Sequence, residues 1–286
     1  MFQKLAVLLD MIKFKLTIFA MPFAFMGAFL AARGIPDGLT FLLVIVAMVG
    51  ARTCAMGFNR IVDAGFDKAN PRTAERAIPV GAVSMLEAWS FVIGAGLLFF
   101  FAAWSLNPLT LKLAPFALSL TLFYSLTKRF TSFCHLILGV ALAFSPLGGW
   151  VAVQGSLTSY PWALSAGVLF WITGFDTVYA CLDADFDRKA GLYSLPSRIG
   201  QRNAFRLAAV FHVLAFFLFV YTGIQADLNF VYYIGVLIAA AALFYQHRIV
   251  NLNDLSKIKG SFFSMNGFIS LALFIATWLA LISEKL

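Results

Sequence analysis

Apolar runs of about 20 residues recur along this chain, and no other feature limits its fold so strongly. At a rise of about 1.5 Å per residue, each run makes a helix long enough to cross a hydrocarbon layer roughly 30 Å thick. Nine spans are predicted, at about 14–33, 40–60, 86–104, 109–127, 133–153, 161–182, 205–223, 229–247 and 263–283. Barrel strands do not fit, because their segments are about ten residues long and alternate in polarity. Charge agrees, since 12% of the 286 residues are charged, about half the share in a soluble domain. The expected fold class is an all-α integral membrane protein with nine transmembrane helices.

Lysine and arginine set the orientation of such a chain. With the N-terminus inside, the inner segments are 1–15, 61–85, 128–132, 183–206 and 248–262. Of 21 basic residues, only Arg33, Arg52, Arg60, Lys112 and Lys285 fall outside them, and Arg52 and Arg60 lie within the second span. The expectation is a multi-pass protein of the cytoplasmic (inner) membrane, with its N-terminus and long loops inside and its C-terminus outside. This placement absorbs the net charge of +8, so no nucleic-acid partner is needed to explain it. Lys4, Lys13 and Lys15 give the first span the look of a secretory leader. With eight more spans and no polar mature domain after it, it reads as a retained helix. Cys54, Cys134 and Cys181 lie in apolar runs without metal-ligand spacing and read as packing residues. No obligate protein partner is evident.

Against this apolar background two short acidic stretches stand out. Asn59, Asp63 and Asp67 are four apart, and Asp183 and Asp187 repeat that step. The local text repeats too: Asp63-Ala-Gly-Phe-Asp-Lys68 against Asp183-Ala-Asp-Phe-Asp-Arg188. The repetition points to one domain over 1–286 made of two pseudo-repeated halves, with a motif at span 2 and its following loop and another at span 6 and its loop. Residues four apart on a helix share a face, with Cβ atoms roughly 5–6 Å apart. Each copy therefore presents a strip of carboxylates at an inner helix end. Facing lipid they would be costly, so they must meet a polar cavity or be neutralised. Hard oxygen ligands in this number suit Mg²⁺, which usually bridges one or two carboxylates to a substrate phosphate. Fixed cations stand nearby: Arg72, Arg76, Lys128, Arg188, Lys189 and Arg198. Alternating acid and base around one opening is what a Mg-diphosphate requires, whereas a plain cation channel has no use for the arginines.

The walls carry the next clue. The chain has 32 Phe, 6 Trp and 8 Tyr, so aromatic side chains are available wherever a central cavity forms. Asp176, Tyr179, Asp183 and Asp187 are spaced three, four and four, which keeps them on one helical face. Tyr124 lies at another inner helix end. A mouth that holds diphosphate and an aromatic interior fit an isoprenyl diphosphate, and aromatic faces stabilise a carbocation.

Asn59-x-x-x-Asp63-x-x-x-Asp67, followed by Asn-Pro-Arg-Thr (70–73) and Arg-Ala-Ile-Pro (76–79), resembles the first signature of the UbiA-type intramembrane prenyltransferases. Asp176-Thr-Val-Tyr-Ala180 with Asp183-x-x-x-Asp187 resembles the second, and Tyr-Ser-Leu-Thr-Lys-Arg (124–129) is similar to the segment after the family's fourth helix. The resemblance covers essentially the whole chain. It implies a UbiA-like helical bundle around one cavity, and Mg²⁺-dependent transfer of a polyprenyl group from its diphosphate to a small aromatic acceptor. On that basis Asp63, Asp67, Asp183 and Asp187 would hold the metal, with Asn59 assisting. Arg72, Lys128 and Arg198 would contact the diphosphate, with Arg76 beside them. Asp176, Tyr179 and Tyr124 would border the cation or the acceptor. The 70–79 text resembles the quinone-pathway branch acting on 4-hydroxybenzoate. The first helix departs from it, with Lys13 and Lys15 where many such enzymes place an arginine. That segment is also similar to a branch tied to menaquinone made through futalosine, which would use a naphthoate-type acceptor.

Plainer readings exist for each residue. The strips would be helix caps, the basic residues positive-inside anchors, the tyrosines an interfacial belt, and Asn59 a helix–helix hydrogen bond. His135, His212 and His247 share no spacing and read as interface or packing residues rather than ligands, and Asp185 points away from the 183/187 face. From another class, a cation transporter with repeated halves would need its aspartates mid-helix. A head-group transferase would need an Asp-Gly pair leading into Ala-Arg, which this chain lacks.

Overall fold

The computed structural model describes residues 2–13, 17–250, 255, 258 and 263–284, and every regular element among them is helical. A short leading helix α1 (Phe2–Met11) is followed by α2 (Thr17–Ala32), α3 (Gly38–Val62), α4 (Ala64–Ala69), α5 (Met85–Leu106), α6 (Pro108–Thr127) and α7 (Cys134–Gln154). Then come α8 (Trp162–Ala180), α9 (Ala184–Lys189), α10 (Leu195–Ile199), α11 (Gln201–Gln225), α12 (Phe230–Ile249) and α13 (Phe263–Ser283). Eight of the described helices are long and apolar enough to cross a membrane. The remaining predicted span is α2, shorter at 16 residues and starting at Thr17; residues 14–16 lie outside the described set. α1 was not foreseen. It follows the apolar spacing of Val7, Leu8 and Met11, which pack with Cys54, Ile61 and Val92.

Short polar side chains set where the long helices begin. Asp37 and Asn107 accept from the Thr40 and Thr110 amides at 3.0 and 2.9 Å, and Ser84 and Glu87 cap each other reciprocally at the start of α5. Successive spans are spatial neighbours: α2 meets α3, then α5, α6, α7, α8, α11, α12 and α13 follow in turn, and α13 returns to α2. α2 also lies along α7, backbone against backbone. A Cβ added at Gly27 would overlap the Pro146 carbonyl, and one at Gly149 would overlap the Ala24 carbonyl. Such small-residue seams let membrane helices pack without a solvent-driven hydrophobic effect. Large side chains on the outer faces, such as Leu97, Trp104, Phe217 and Leu237, are exposed and are suited to lipid.

The bundle leaves a cavity of about 350 Å³ walled by α2, α3, α6, α7 and α8, with Phe23, Val44, Met48, Leu113, Leu138 and Leu142 among its lining residues. Tyr124 and Phe175 mark its end nearest the acidic strips. Among its described lining residues, Arg52 is the one that carries a charge.

Candidate active site

Both acidic strips start at the same kind of helix break. α3 ends at Val62 and α4 restarts at Ala64, with Asp63 between them at φ −92°, ψ 1°. α8 ends at Ala180, passes through a 3-10 turn at Cys181–Asp183, and α9 begins at Ala184, with Asp183 at φ −112°, ψ 3°. Both aspartates sit in the sparsely populated bridge between the α and β basins, a common place for active-site residues. Each restarted helix is 6 residues long and buries the second aspartate, Asp67 or Asp187. The repeated text is matched by a repeated break in the backbone.

The loops that follow bring the strips together, and each aspartate meets a cation. Arg129 reaches Asp63 at 3.1 Å and Arg76 reaches Asp67 at 2.6 Å. Lys128 contacts Asp187 at 2.7 Å. Arg72 crosses from the first loop to the second motif, donating from Nε to Asp183 Oδ1 at 2.7 Å and from a terminal nitrogen to Oδ2. This two-nitrogen geometry is specific to arginine. Asn70 Nδ2 donates to the same Oδ1 at 2.9 Å, and Asn59 Nδ2 donates to Asp63 Oδ2 at 3.0 Å. Ser194 closes the second loop by donating to Asp187 Oδ2 at 2.7 Å.

Electrostatics follow from burial and these partners. Burial, then the like charge of Asp67, push the Asp63 carboxyl above the usual carboxylate range, against the pull of Arg129, Lys128 and Arg60. Burial alone would lower the Lys128 ammonium, but Asp187 beside it more than offsets this and holds it above an ordinary lysine. Arg72 is likewise opposed by burial and raised by Asp183. Lys128 and Arg72 therefore stay charged.

Other predicted residues fall at different distances from this centre. Tyr179 lies under the Arg72 guanidinium, 5.7 Å from its ring centroid, and Tyr124 lines the cavity. Arg198 is exposed and stacks on Tyr193 at 3.9 Å. Lys13 is exposed and tied to Asp10 at 3.2 Å, outside the ring. Lys15 lies outside the described residues. Asp185 is exposed beside Arg188, as its position off the shared face implied.

Several participants were not assigned from sequence. Asn70 lay within a recognised word, and Arg129 beside Lys128, so both were within reach. Ser194 carried no local signal, and the one signal at Arg52 was its charge within an apolar span. The histidines do more than pack, each joining two helices. His135 is not plain packing: its Nδ1 is 2.7 Å from Asp176 Oδ2. His212 and His247 do meet, Nδ1 to Nε2 at 2.8 Å, joining α11 to α12.

Known proteins share this chain's sequence pattern and fold. The family model described as UbiA prenyltransferase family matches residues 20–281. A 4-hydroxybenzoate octaprenyltransferase of Shewanella denitrificans is 33% identical over 79% of this chain and 76% of its own length. Another, from Shewanella woodyi, is 31% identical over 88% and 87%. Among solved structures, the apo form of a UbiA homolog from Aeropyrum pernix K1 has a TM-score of 0.83 and 33% identity, covering 94% of this chain and 98% of that one. An Archaeoglobus fulgidus homolog bound to DMAPP and Mg²⁺ shares the fold at a TM-score of 0.75 and 21% identity, covering 96% and 99%. The class is thus a multi-pass, helical, membrane-embedded prenyltransferase. This chain belongs to the UbiA prenyltransferase family.

Proposed function

We propose that this enzyme transfers a polyprenyl group from an isoprenyl diphosphate to a ring carbon of a small aromatic acid, 4-hydroxybenzoate, in quinone biosynthesis. One observation carries the reading: two acidic helix breaks, joined by Arg72 and Asp183, stand at one end of an apolar cavity. The names of the curated relatives support the acceptor. A naphthoate-type acceptor would use the same machinery.

The donor set fits Mg²⁺. Asp63, Asp67, Asp183 and Asp187 offer hard oxygens, and Asp67 Oδ2 is buried with no hydrogen-bond partner among the described residues. No three acidic, histidine or cysteine side chains among those residues form a ready-made cage. This suits an ion that arrives with its substrate, whose phosphate oxygens complete the coordination. When bound, Mg²⁺ neutralises charge developing on the departing diphosphate. The cations now holding the aspartates, Arg72, Arg76, Lys128 and Arg129, would exchange a carboxylate for a phosphate oxygen at little electrostatic cost. The apolar cavity accepts the tail. Arg52, in the cavity wall and 3.5 Å from the Ile12 carbonyl, is suited to the acceptor's carboxylate. This leaves the activated ring facing the aromatic and acidic end, between Tyr124 and Asp176.

The excess of basic residues at the motif-bearing end supports a cytoplasmic-facing site, an inside N-terminus and an outside C-terminus in the inner membrane. A cation transporter is disfavoured, because the four paired aspartates sit at helix ends among cations rather than at mid-depth. The test is a product assay. Membranes containing the protein are given several isoprenyl diphosphates, Mg²⁺ and 4-hydroxybenzoate or a hydroxynaphthoate, and products are identified by mass spectrometry. Ring-prenylated 4-hydroxybenzoate is expected; its absence with every donor would overturn the acceptor.

A further inference from the structure

Prenylating an aromatic ring releases a ring proton, and the acid–base ring described above offers no obvious acceptor, since its carboxylates are committed to cations. Asp176 is different. It lies about two turns before Asp183 on the same helical face, roughly 10 Å along the axis, next to the cavity-lining Phe175. Its partner is His135, not a fixed cation. The pair joins α8 to the first turn of α7, with 27% of the Asp176 side chain exposed and 3% of the His135 side chain. The second His135 nitrogen fixes the tautomer. The Leu195 amide donates to Nε2 at 3.2 Å, so the ring proton sits on Nδ1 and is donated to Asp176 Oδ2. The carboxylate is thereby oriented by one hydrogen bond, still partly exposed, and near the cavity-lining Tyr124.

We propose that Asp176 takes the ring proton and that His135 is the positioning residue that aims it, an inference that rests on the aromatic-acceptor reading above. The donor's C1–O bond breaks and its electron pair leaves with the diphosphate. A π pair of the acceptor ring then forms the new C–C bond. The C–H pair at that carbon returns to the ring as its proton passes to Asp176. The 4-hydroxybenzoate hydroxyl activates the carbon beside it, the para position being occupied by the carboxylate. Leu195 also follows Ser194, which holds Asp187. The base is thus anchored, through His135 and Leu195, to the loop that arranges the second acidic motif.

The experiment uses full-length protein in membranes with geranyl diphosphate, Mg²⁺ and 4-hydroxybenzoate, either unlabelled or deuterated at both carbons beside the hydroxyl. Loss of the ring proton is ordinarily faster than C–C bond formation, so the wild type should turn over both acceptors at the same rate. Asp176→Asn should lower kcat by about 10²-fold and make deuteration slow the remaining reaction severalfold. His135→Leu should show the same isotope sensitivity. His135→Asn, which keeps a donor at the Nδ1 position, should restore a rate nearer the wild type with less of it. A merely structural role for either residue would lower the rate without isotope sensitivity, and that result in Asp176→Asn would overturn the proposal. Isotope sensitivity in Asp176→Asn but in neither histidine variant would overturn the role of His135. If the wild type forms no ring-prenylated product, the acceptor reading fails and this inference with it.

Discussion

Arg72 grips Asp183 with two nitrogens, joining the loop after the first acidic break to the second break itself. The two acidic breaks are therefore held together by a contact of the kind that a diphosphate would replace. An arriving substrate would take the guanidinium and release Asp183 for the metal. Arg72→Lys keeps the charge but loses the paired geometry, so the KM for the prenyl diphosphate should rise by about tenfold while the acceptor KM changes little. Steady-state kinetics with each substrate varied in turn would decide it, and an unchanged donor KM would remove Arg72 from the diphosphate site.

Asp63 and Asp183 occupy equivalent breaks, and neither should tolerate loss of its carboxylate. Asp63→Ala and Asp183→Ala are expected to lower turnover by more than about 10³-fold, because charge on the leaving group would no longer be stabilised. Both proteins should still insert in membranes and elute as folded species. EDTA should silence the wild type, and added Mg²⁺ should restore it. Turnover that persists in chelator would count against a metal-dependent reaction.

The Asp63 carboxyl is raised above its usual range by burial and by Asp67. Ionising it costs the metal-free protein stability above that raised value, and the cost disappears as pH falls and it protonates. Mg²⁺ needs the ionised form, so apparent Mg²⁺ affinity should weaken on acidification before an ordinary carboxylate would protonate. Arg129→Gln removes a partner that favours the ionised form and should move this loss to still higher pH. Mg²⁺ titrations of activity at several pH values test it; a loss that stays at the same pH would contradict the pairing.

Arg52→Gln should raise the acceptor KM by roughly tenfold, equivalent to about 1.4 kcal/mol, with the donor KM unchanged. The clearest measurement compares 4-hydroxybenzoate with its methyl ester. Wild type should prefer the acid, and the variant should lose that preference. If the variant keeps it, the carboxylate is held elsewhere.

Gly149→Ala forces a methyl group against the Ala24 carbonyl, where backbone has no rotamer by which to yield. Overpacking of this kind costs about 1–3 kcal/mol. The thermal midpoint in detergent should fall by several degrees, whereas Gly148→Ala, whose Cβ meets nothing nearby, should leave it in place.

Much of this molecule was legible beforehand because membrane spans and helical faces are local patterns. Length and polarity gave the bundle helices to within a few residues, and the step of four placed Asp63 with Asp67 and Asp183 with Asp187 on shared faces. The repeated word also signalled equivalent backbones, which appear as the paired breaks at Asp63 and Asp183. Contacts between distant segments had no such signature. Nothing in the text around His135 announces Asp176, because the pairing depends on how α7 and α8 pack. Lys13 was a candidate by position alone, and its short tie to Asp10 depends on the turn after α1. Arg52 looked like an anomaly within a span until the cavity gave its charge a setting.

The close meeting of α2 and α7 at Gly27 and Gly149 bears on which cargo the interior accepts. At that seam main chain meets main chain, while α2 and α7 offer Phe23, Leu138 and Leu142 to the cavity itself. α6, packed against α7, buries few of its residues and lines the cavity with leucines such as Leu113 and Leu118. The seam therefore fixes the spacing of α2 and α7, and any adjustment of the interior to its contents falls to side chains rather than to that pair of backbones.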